Sequence, residues 1–413
     1  MKTTGVYLFP LILVLLAAGC STTMVRSTQQ EPARKAATPI PEDQLLDVGI
    51  DIFDPGVDEN SQEQPAGVYP PIRKAEARYI PYRLMETLQR TGNWGVVRVI
   101  PDHRSEMDVW IDGQILKSNG EELSLKITAK DATNRVWFTK TYTEEASKYA
   151  YDSSLKNRSD DPFQGLYNRI ANDLLQFHQQ SLKTADIKTI RTVTKLKFAR
   201  DFAPDAYNEY IKKDGNGRYK VKRLPATNDP ILARVHKIRE RDNMFVDTLQ
   251  DYYGSFVRQM DGPYYQWRKD SYDEIVQLNK LNKQATTRTL GGILTVLASA
   301  AAIITGCGAN NPYARNACQL AGTAGVIGGA YMVKSGVDKR AEAKLHAKSL
   351  EELSRSLNSE IKPHTMELKN RTVTLTGTVD QQYEQWRQIL KEMYSTETGQ
   401  TQASAADGTR QTE

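Results

Sequence analysis

The chain has 413 residues, 39% of them apolar and 25% charged, with a formal net charge of +5. This composition is ordinary for a globular protein, and the length suits two or three domains. The positive charge is spread along the chain rather than striped, which argues against a nucleic-acid-binding surface.

Lys2 precedes an apolar run from Leu8 that ends in Ala17-Ala18-Gly19-Cys20. The run is too short to span a bilayer and has the shape of an export leader over residues 1–19. The small residues before Cys20 resemble the lipobox of bacterial lipoproteins. That resemblance implies that Cys20 is acylated and becomes the mature N-terminus. The family pattern prefers an aliphatic residue three positions before the cysteine; this chain has Ala17 there and Leu16 one step earlier. The other reading is an ordinary secretory leader whose removal leaves a free cysteine. Ser21, rather than Asp, follows Cys20, which by family analogy implies the outer membrane. Residues 20–44 are polar and proline-rich, and they predict a disordered tether behind the lipid.

Residues 45–182 predict an α+β module. Val48 to Phe53 alternates as a half-buried strand does, and Asp54-Pro55-Gly56 stops it. Ile72, Ala75, Tyr79, Ile80, Leu84, Met85 and Leu88 recur at helical steps. Pro81 predicts a kink, or an extended lead-in with the main helix from about 81. Thr91-Gly92-Asn93 ends that helix. Strands follow at 94–100 and 108–116. Ser118-Asn119-Gly120 signals a hairpin, and 123–129 and 136–142 complete a meander. Asp161 is the expected cap of a helix carrying Leu166, Ile170, Leu174 and Leu175. The order predicts a small antiparallel sheet with flanking helices.

The phrases Asp108-Val-Trp-Ile-Asp-Gly-Gln-Ile, Ser118-Asn-Gly and Lys130-Asp-Ala-Thr-Asn-Arg-Val-Trp-Phe, in this order of elements, resemble small periplasmic modules of envelope assembly proteins. The curli-secretion lipoprotein and the N-terminal domain of the Tol–Pal propeller protein are of this kind. The resemblance spans roughly residues 45–180 and implies envelope assembly or secretion, with no site residue carried over.

Residues 183–362 predict a mainly helical region. A hairpin turn is expected between Tyr210 and Tyr219. Asp214-Gly215-Asn216-Gly217 is not a calcium loop, because its twelfth position is Pro225. From about 228 to 283, aromatic residues including Phe245, Tyr253, Tyr264 and Trp267 recur at helical steps. Such a stripe suits helix packing, and it is also the one feature that suits a glycan-binding surface. A Gly/Ala-rich hairpin is expected over 290–333, with apolar arms at 290–304 and 320–333. Ala321, Gly325 and Gly329 fall four apart on its second arm, as small residues do where helix backbones approach closely. The hairpin reads as a buried element, as a membrane contact or as a self-assembly interface. Cys307 and Cys318 lie at its tip, with ten residues between them. In an oxidising compartment they suit a disulfide, with unpaired buried thiols as the alternative. An amphipathic helix follows over 337–357, then a strand-helix element over 363–397. There Leu-Thr-Gly-Thr-Val-Asp is reminiscent of half of a phospholipid-associated envelope domain. Residues 398–413 read as a disordered tail.

His103, His178, His236, His346 and His364 are scattered, with no metal-ligand spacing. Ser153-x-x-Lys156, Ser118-Asn119 and Lys334-Ser335-Gly336 match serine-hydrolase boxes only in the wrong order. No phosphate loop or dinucleotide fingerprint occurs. The expectation is a non-catalytic, lipid-anchored protein of the outer membrane, without metal or cofactor, acting in envelope assembly, export or scaffolding. Its partners would be the membrane and envelope proteins, with self-association open and no nucleic acid. The alternative is a glycan- or peptidoglycan-binding module.

Overall fold

The computed structural model describes residues 31–57, 68–101, 107–151, 161–306, 364–368 and 371–398, which form an α+β fold. Strand β1 (Val48–Asp51) lies inside a five-stranded sheet, between β2 (Val97–Ile100) and β3 (Val109–Ser118). It runs parallel to both, with Val48 opposite Val97 on one side and Val109 on the other. The sheet is therefore mixed, not antiparallel as expected. Helix α1 (Pro70–Thr91) carries the chain across the sheet between β1 and β2. A crossover of this kind returns the chain in its original direction. Alternation within a four-residue strand reports burial, not direction.

The rest of the sheet is the expected meander. Strands β3, β4 (Glu122–Asp131) and β5 (Val136–Glu145) pair antiparallel. Gly120 turns the first hairpin at φ 78° and Asn134 the second at φ 65°. Leu123, Leu125, Ile127 and Ala129 point into the core. At the opposite edge, all four β2 residues are buried. The Gln250 side chain accepts from Val99 N–H at 2.9 Å and donates to Val99 C=O at 2.8 Å. Its amide thus closes the edge as a further strand would.

Helix α1 runs unbroken through Pro81, where a kink or lead-in was expected. Proline frees the carbonyl four residues earlier. That carbonyl, Ala77 C=O, accepts the Phe53 N–H at 2.9 Å. A tertiary donor thus replaces the missing helical one and ties α1 to the end of β1. Gly92, at φ 66°, ends the helix as predicted.

Helix α2 (Gln164–Ser181) packs on β5 and α1. Helix α3 (Thr184–Phe202), the single turn α4 (Pro204–Tyr207) and the hairpin of β6 (Ile211–Lys213) and β7 (Tyr219–Val221) follow. Asp214 closes the hairpin by accepting from Asn216 and Gly217 N–H groups, as a turn residue rather than a cation ligand. Helix α5 (Pro230–Gly306) has 77 residues, about 115 Å of helix at 1.5 Å per residue. The aromatic stripe and the first apolar arm belong to this one element. The stretch from Thr286 to Gly292 lowers helix propensity without removing a backbone donor, so nothing forces a break. Among the described residues no helix is long and apolar enough to cross a membrane.

At the C-terminus, β9 (Arg371–Leu375) pairs with β8 (His364–Leu368), a strand the periodicity did not reveal. Helix α6 (Val379–Thr398) follows. Its cap is Thr378. Gln381 N–H donates to Thr378 Oγ1 at 3.3 Å, and Thr378 N–H to Gln381 Oε1 at 2.9 Å. This reciprocal pair satisfies two donors at the helix start. Tyr383, Trp386, Ile389 and Leu390 recur at helical steps and are buried, with Trp386 against Phe245 of α5 at 5.2 Å between centroids. One apolar core is continuous from Leu46 to Tyr394.

Candidate functional site

The anchoring residue Cys20 lies outside the described residues, as do Cys307, Cys318, Ala321, Gly325, Gly329, Ser153 and Lys334. The segment that leads from Cys20 to the body is described from residue 31. The tether expected over 20–44 is held to the body from that point on.

Three asparagines hold it. Asn168 and Asn172 stand four residues apart on α2, hence on one face, and Asn93 follows the end of α1. Asn172 accepts the Arg34 N–H at 2.7 Å and donates to Pro32 C=O at 3.1 Å. Asn168 donates to Glu31 C=O at 2.8 Å. Asn93 accepts the Ala36 N–H at 2.9 Å and donates to Arg34 C=O at 2.9 Å. A carboxamide carries both a donor and an acceptor, so it can pair with an extended backbone as a neighbouring strand does. Residues 31–36 thus form a strap held through main-chain atoms. Farther along, Arg191 of α3 donates to Asp43 C=O at 2.8 Å, and the His178 ring meets Gln44 C=O at 3.3 Å. Burial pushes the His178 pKa down, opposed only by that contact, so the ring is neutral at neutral pH. Asn172→Ala removes the acceptor for Arg34 N–H and the donors to Glu31 and Pro32. A net hydrogen bond contributes about 1 kcal/mol, so exchange of the Arg34 amide, whose acceptor is lost, is expected to rise about fivefold or more. Hydrogen-exchange mass spectrometry checks this; unchanged exchange at residues 31–36 would show that the amide does not hold them.

A second polar assembly lies inside the body and clamps α5 against α1. Glu76 is fully buried. Its Oε1 accepts from Ser118 Oγ and Tyr264 OH, each at 2.6 Å, and Arg73 Nε lies 3.7 Å from Oε2. Burial raises the Glu76 pKa, against the opposing pull of Arg73. Arg268 of α5 grips Asp161 through two 3.0 Å hydrogen bonds. Burial acts to raise the Asp161 pKa, but the Arg268 guanidinium outweighs it and holds the carboxyl below its usual range. Tyr79 OH donates to Asp261 Oδ1 at 2.9 Å, and Arg83 pairs with the same carboxylate. Asp161, expected as the helix cap, is not the cap: the N-cap position is Phe163, without a side-chain bond, and Asp161 accepts Phe163 N–H at 2.9 Å from two residues earlier while its carboxylate chiefly serves Arg268.

Tyr264 and Trp267 are buried in this clamp, at 1% and 2% exposure. They pack on the body and present no stacking surface to a glycan. Ser118, named as a hydrolase-box residue, spends its hydroxyl proton on Glu76. At the N-terminal ends of β1 and β3, the Asp108 carboxylate accepts from Thr194 Oγ1 at 2.6 Å and from Asp47 N–H at 3.0 Å. Among the described residues no group of three or more histidine, cysteine or acidic side chains is placed to hold a metal ion.

Sequence periodicity missed the clamp because charged residues on a helix usually face water. A signal was present: Glu76 lies on the apolar stripe, four residues after Ile72 and four before Ile80. The strap left no such mark, since asparagines at 93, 168 and 172 read as turn and surface residues.

Comparison with protein-family models, curated proteins and solved structures finds no match to this chain.

Proposed function

We propose that this chain is a non-catalytic, lipid-anchored protein of the outer membrane that works in assembling, exporting or scaffolding a cell-envelope structure. The observation that carries the proposal is the strap. Residues 31–36, separated from Cys20 by ten residues, are built into the body by three asparagines, so a force on an anchor at Cys20 would reach the fold there. The buried charges support the non-catalytic part of the reading. Asp161, Glu76 and Asp108 are each engaged by partners that leave them structural. Burial of Tyr264 and Trp267 takes away the residues that suggested the glycan-binding alternative. Intact-mass analysis of protein extracted from membranes tests the anchor. The expected N-terminus is Cys20 carrying acyl chains. A mature chain beginning at an unmodified Cys20, or elsewhere, would overturn it.

A further inference from the structure

A cleft of about 340 Å³ opens beside the strap, between Lys35, the last turns of α1 and the first turns of α2. Thr87, Thr91, Gln164 and Asn168 line it with Lys35 and Arg90, and no carboxylate does. The uncharged groups already serve one another: Gln164 Nε2 donates to Thr87 Oγ1 at 3.0 Å and to Asn168 Oδ1 at 2.9 Å. Thr91 Oγ1 donates to Leu88 C=O at 2.6 Å. The nearby acids are also taken. Glu31 pairs with Arg34 at 2.6 Å and Glu86 with Arg83 at 2.8 Å. Two positive charges are left over. Arg90 makes one hydrogen bond, to Thr87 at 3.3 Å. Lys35 makes none among the described residues, and both side chains are exposed.

The position of the cleft matters as much as its charge. Only residues 21–30 separate Cys20 from the strap. Ten residues reach at most about 35 Å when fully extended. If Cys20 sits in a bilayer, the cleft stays within about 35 Å of its surface and within reach of the headgroups. The uncommitted cations and the short leash together point to one occupant.

We propose that the Lys35–Arg90 cleft binds the phosphate of an anionic lipid headgroup in the bilayer that anchors Cys20, an inference that rests on the reading of Cys20 as acylated. The lipid then orients the body, with the strap end toward the membrane. Free inorganic phosphate shares the chemistry and is separated from lipid by the test.

The test uses the mature chain without its leader, carrying Cys20→Ser, so that no acyl group contributes. Flotation is compared on vesicles of phosphatidylethanolamine alone and on vesicles that also contain phosphatidylglycerol. Binding is expected only with phosphatidylglycerol. Lys35→Gln and Arg90→Gln are each expected to weaken it about fivefold, and the pair roughly 30-fold, from about 1 kcal/mol per cation at an anionic surface. Neither side chain contributes to the strap's main-chain hydrogen bonds, so the circular dichroism spectrum and melting of the variants are expected to match the parent. Equal flotation on both vesicle types would overturn the proposal, as would a double variant that floats like its parent. Saturable calorimetric binding of inorganic phosphate without vesicle selectivity would overturn the lipid assignment. Failure of acylation at Cys20 appears separately, in the N-terminal mass of the native protein.

Discussion

Cys20→Ala is expected to move the protein from the membrane fraction to the soluble fraction. Each buried methylene of an acyl chain contributes about 0.8 kcal/mol, and two or more chains hold a protein stably where one holds it only marginally. A contact of two cations is peripheral and far weaker than this, so the Lys35–Arg90 cleft orients the protein on anionic lipid but does not hold it through carbonate extraction. Carbonate extraction of wild type, of Cys20→Ala and of Cys20→Ala lacking residues 290–333 measures the effect. Release of Cys20→Ala by itself makes the lipid the anchor and leaves the apolar end of α5 to packing or self-assembly. Retention that disappears only when 290–333 is removed would overturn the lipid as sole anchor and assign a second membrane contact to that stretch.

Arg268→Ala is expected to cost about 3–5 kcal/mol of stability at neutral pH, the usual effect of removing one partner from a buried ion pair. The side chains of Arg268 and Asp161 are 3% and 5% exposed. The guanidinium also lies over Tyr264, 4.1 Å from the ring centroid. The variant strands the Asp161 carboxylate in the interior. In wild type the Asp161 pKa lies below its ordinary value. The pair therefore contributes its stability above the unfolded carboxylate pKa of about 3.9, and loses it as pH falls through the lower folded value. Without Arg268, burial, the largest influence on Asp161, is opposed only by the Phe163 N–H and the Arg83 charge and is expected to raise its pKa, so the folded variant takes up a proton before the unfolded chain does. The gap between wild type and variant is then largest at neutral pH and closes toward pH 4. Urea unfolding at the two pH values measures it. A difference below about 1 kcal/mol at neutral pH, or one that does not change with pH, would refute the assignment of this pair as the clamp. Asp161→Leu combined with Arg268→Met is expected to recover much of the loss, because no buried charge remains unpaired.

The elements that were legible from the residues share one property: their signal is local. The β3–β5 meander shows as period-two alternation between turn residues, and the β6–β7 hairpin shows as Asp214 to Gly217. The end of α1 shows as Gly92, whose positive φ a side chain would oppose. The face of α6 shows as Tyr383, Trp386 and Leu390 at helical steps. Elements that were misread depend on a distant partner. Pro81 predicted a kink or an extended lead-in, but the carbonyl it frees, Ala77 C=O, is taken by the N–H of Phe53, 28 residues before Pro81, and the helix runs on. The direction of β1 depends on the path of α1, and the edge of β2 on a glutamine in α5.

By itself the sequence determined the α+β character and the apolar faces of the helices, and it supplied the lipobox-like stretch before Cys20 on which the export leader is proposed. These follow from residue chemistry and short-range periodicity, which do not need the fold. Only the tertiary structure decided that the tether is strapped down from residue 31, that Glu76 and Asp161 are clamped rather than reactive, and that Tyr264 and Trp267 are internal. It also left Lys35 and Arg90 together with no acid between them. Each of these depends on which groups meet across long stretches of chain, and a hydrogen bond or ion pair takes its meaning from the partner that packing brings to it.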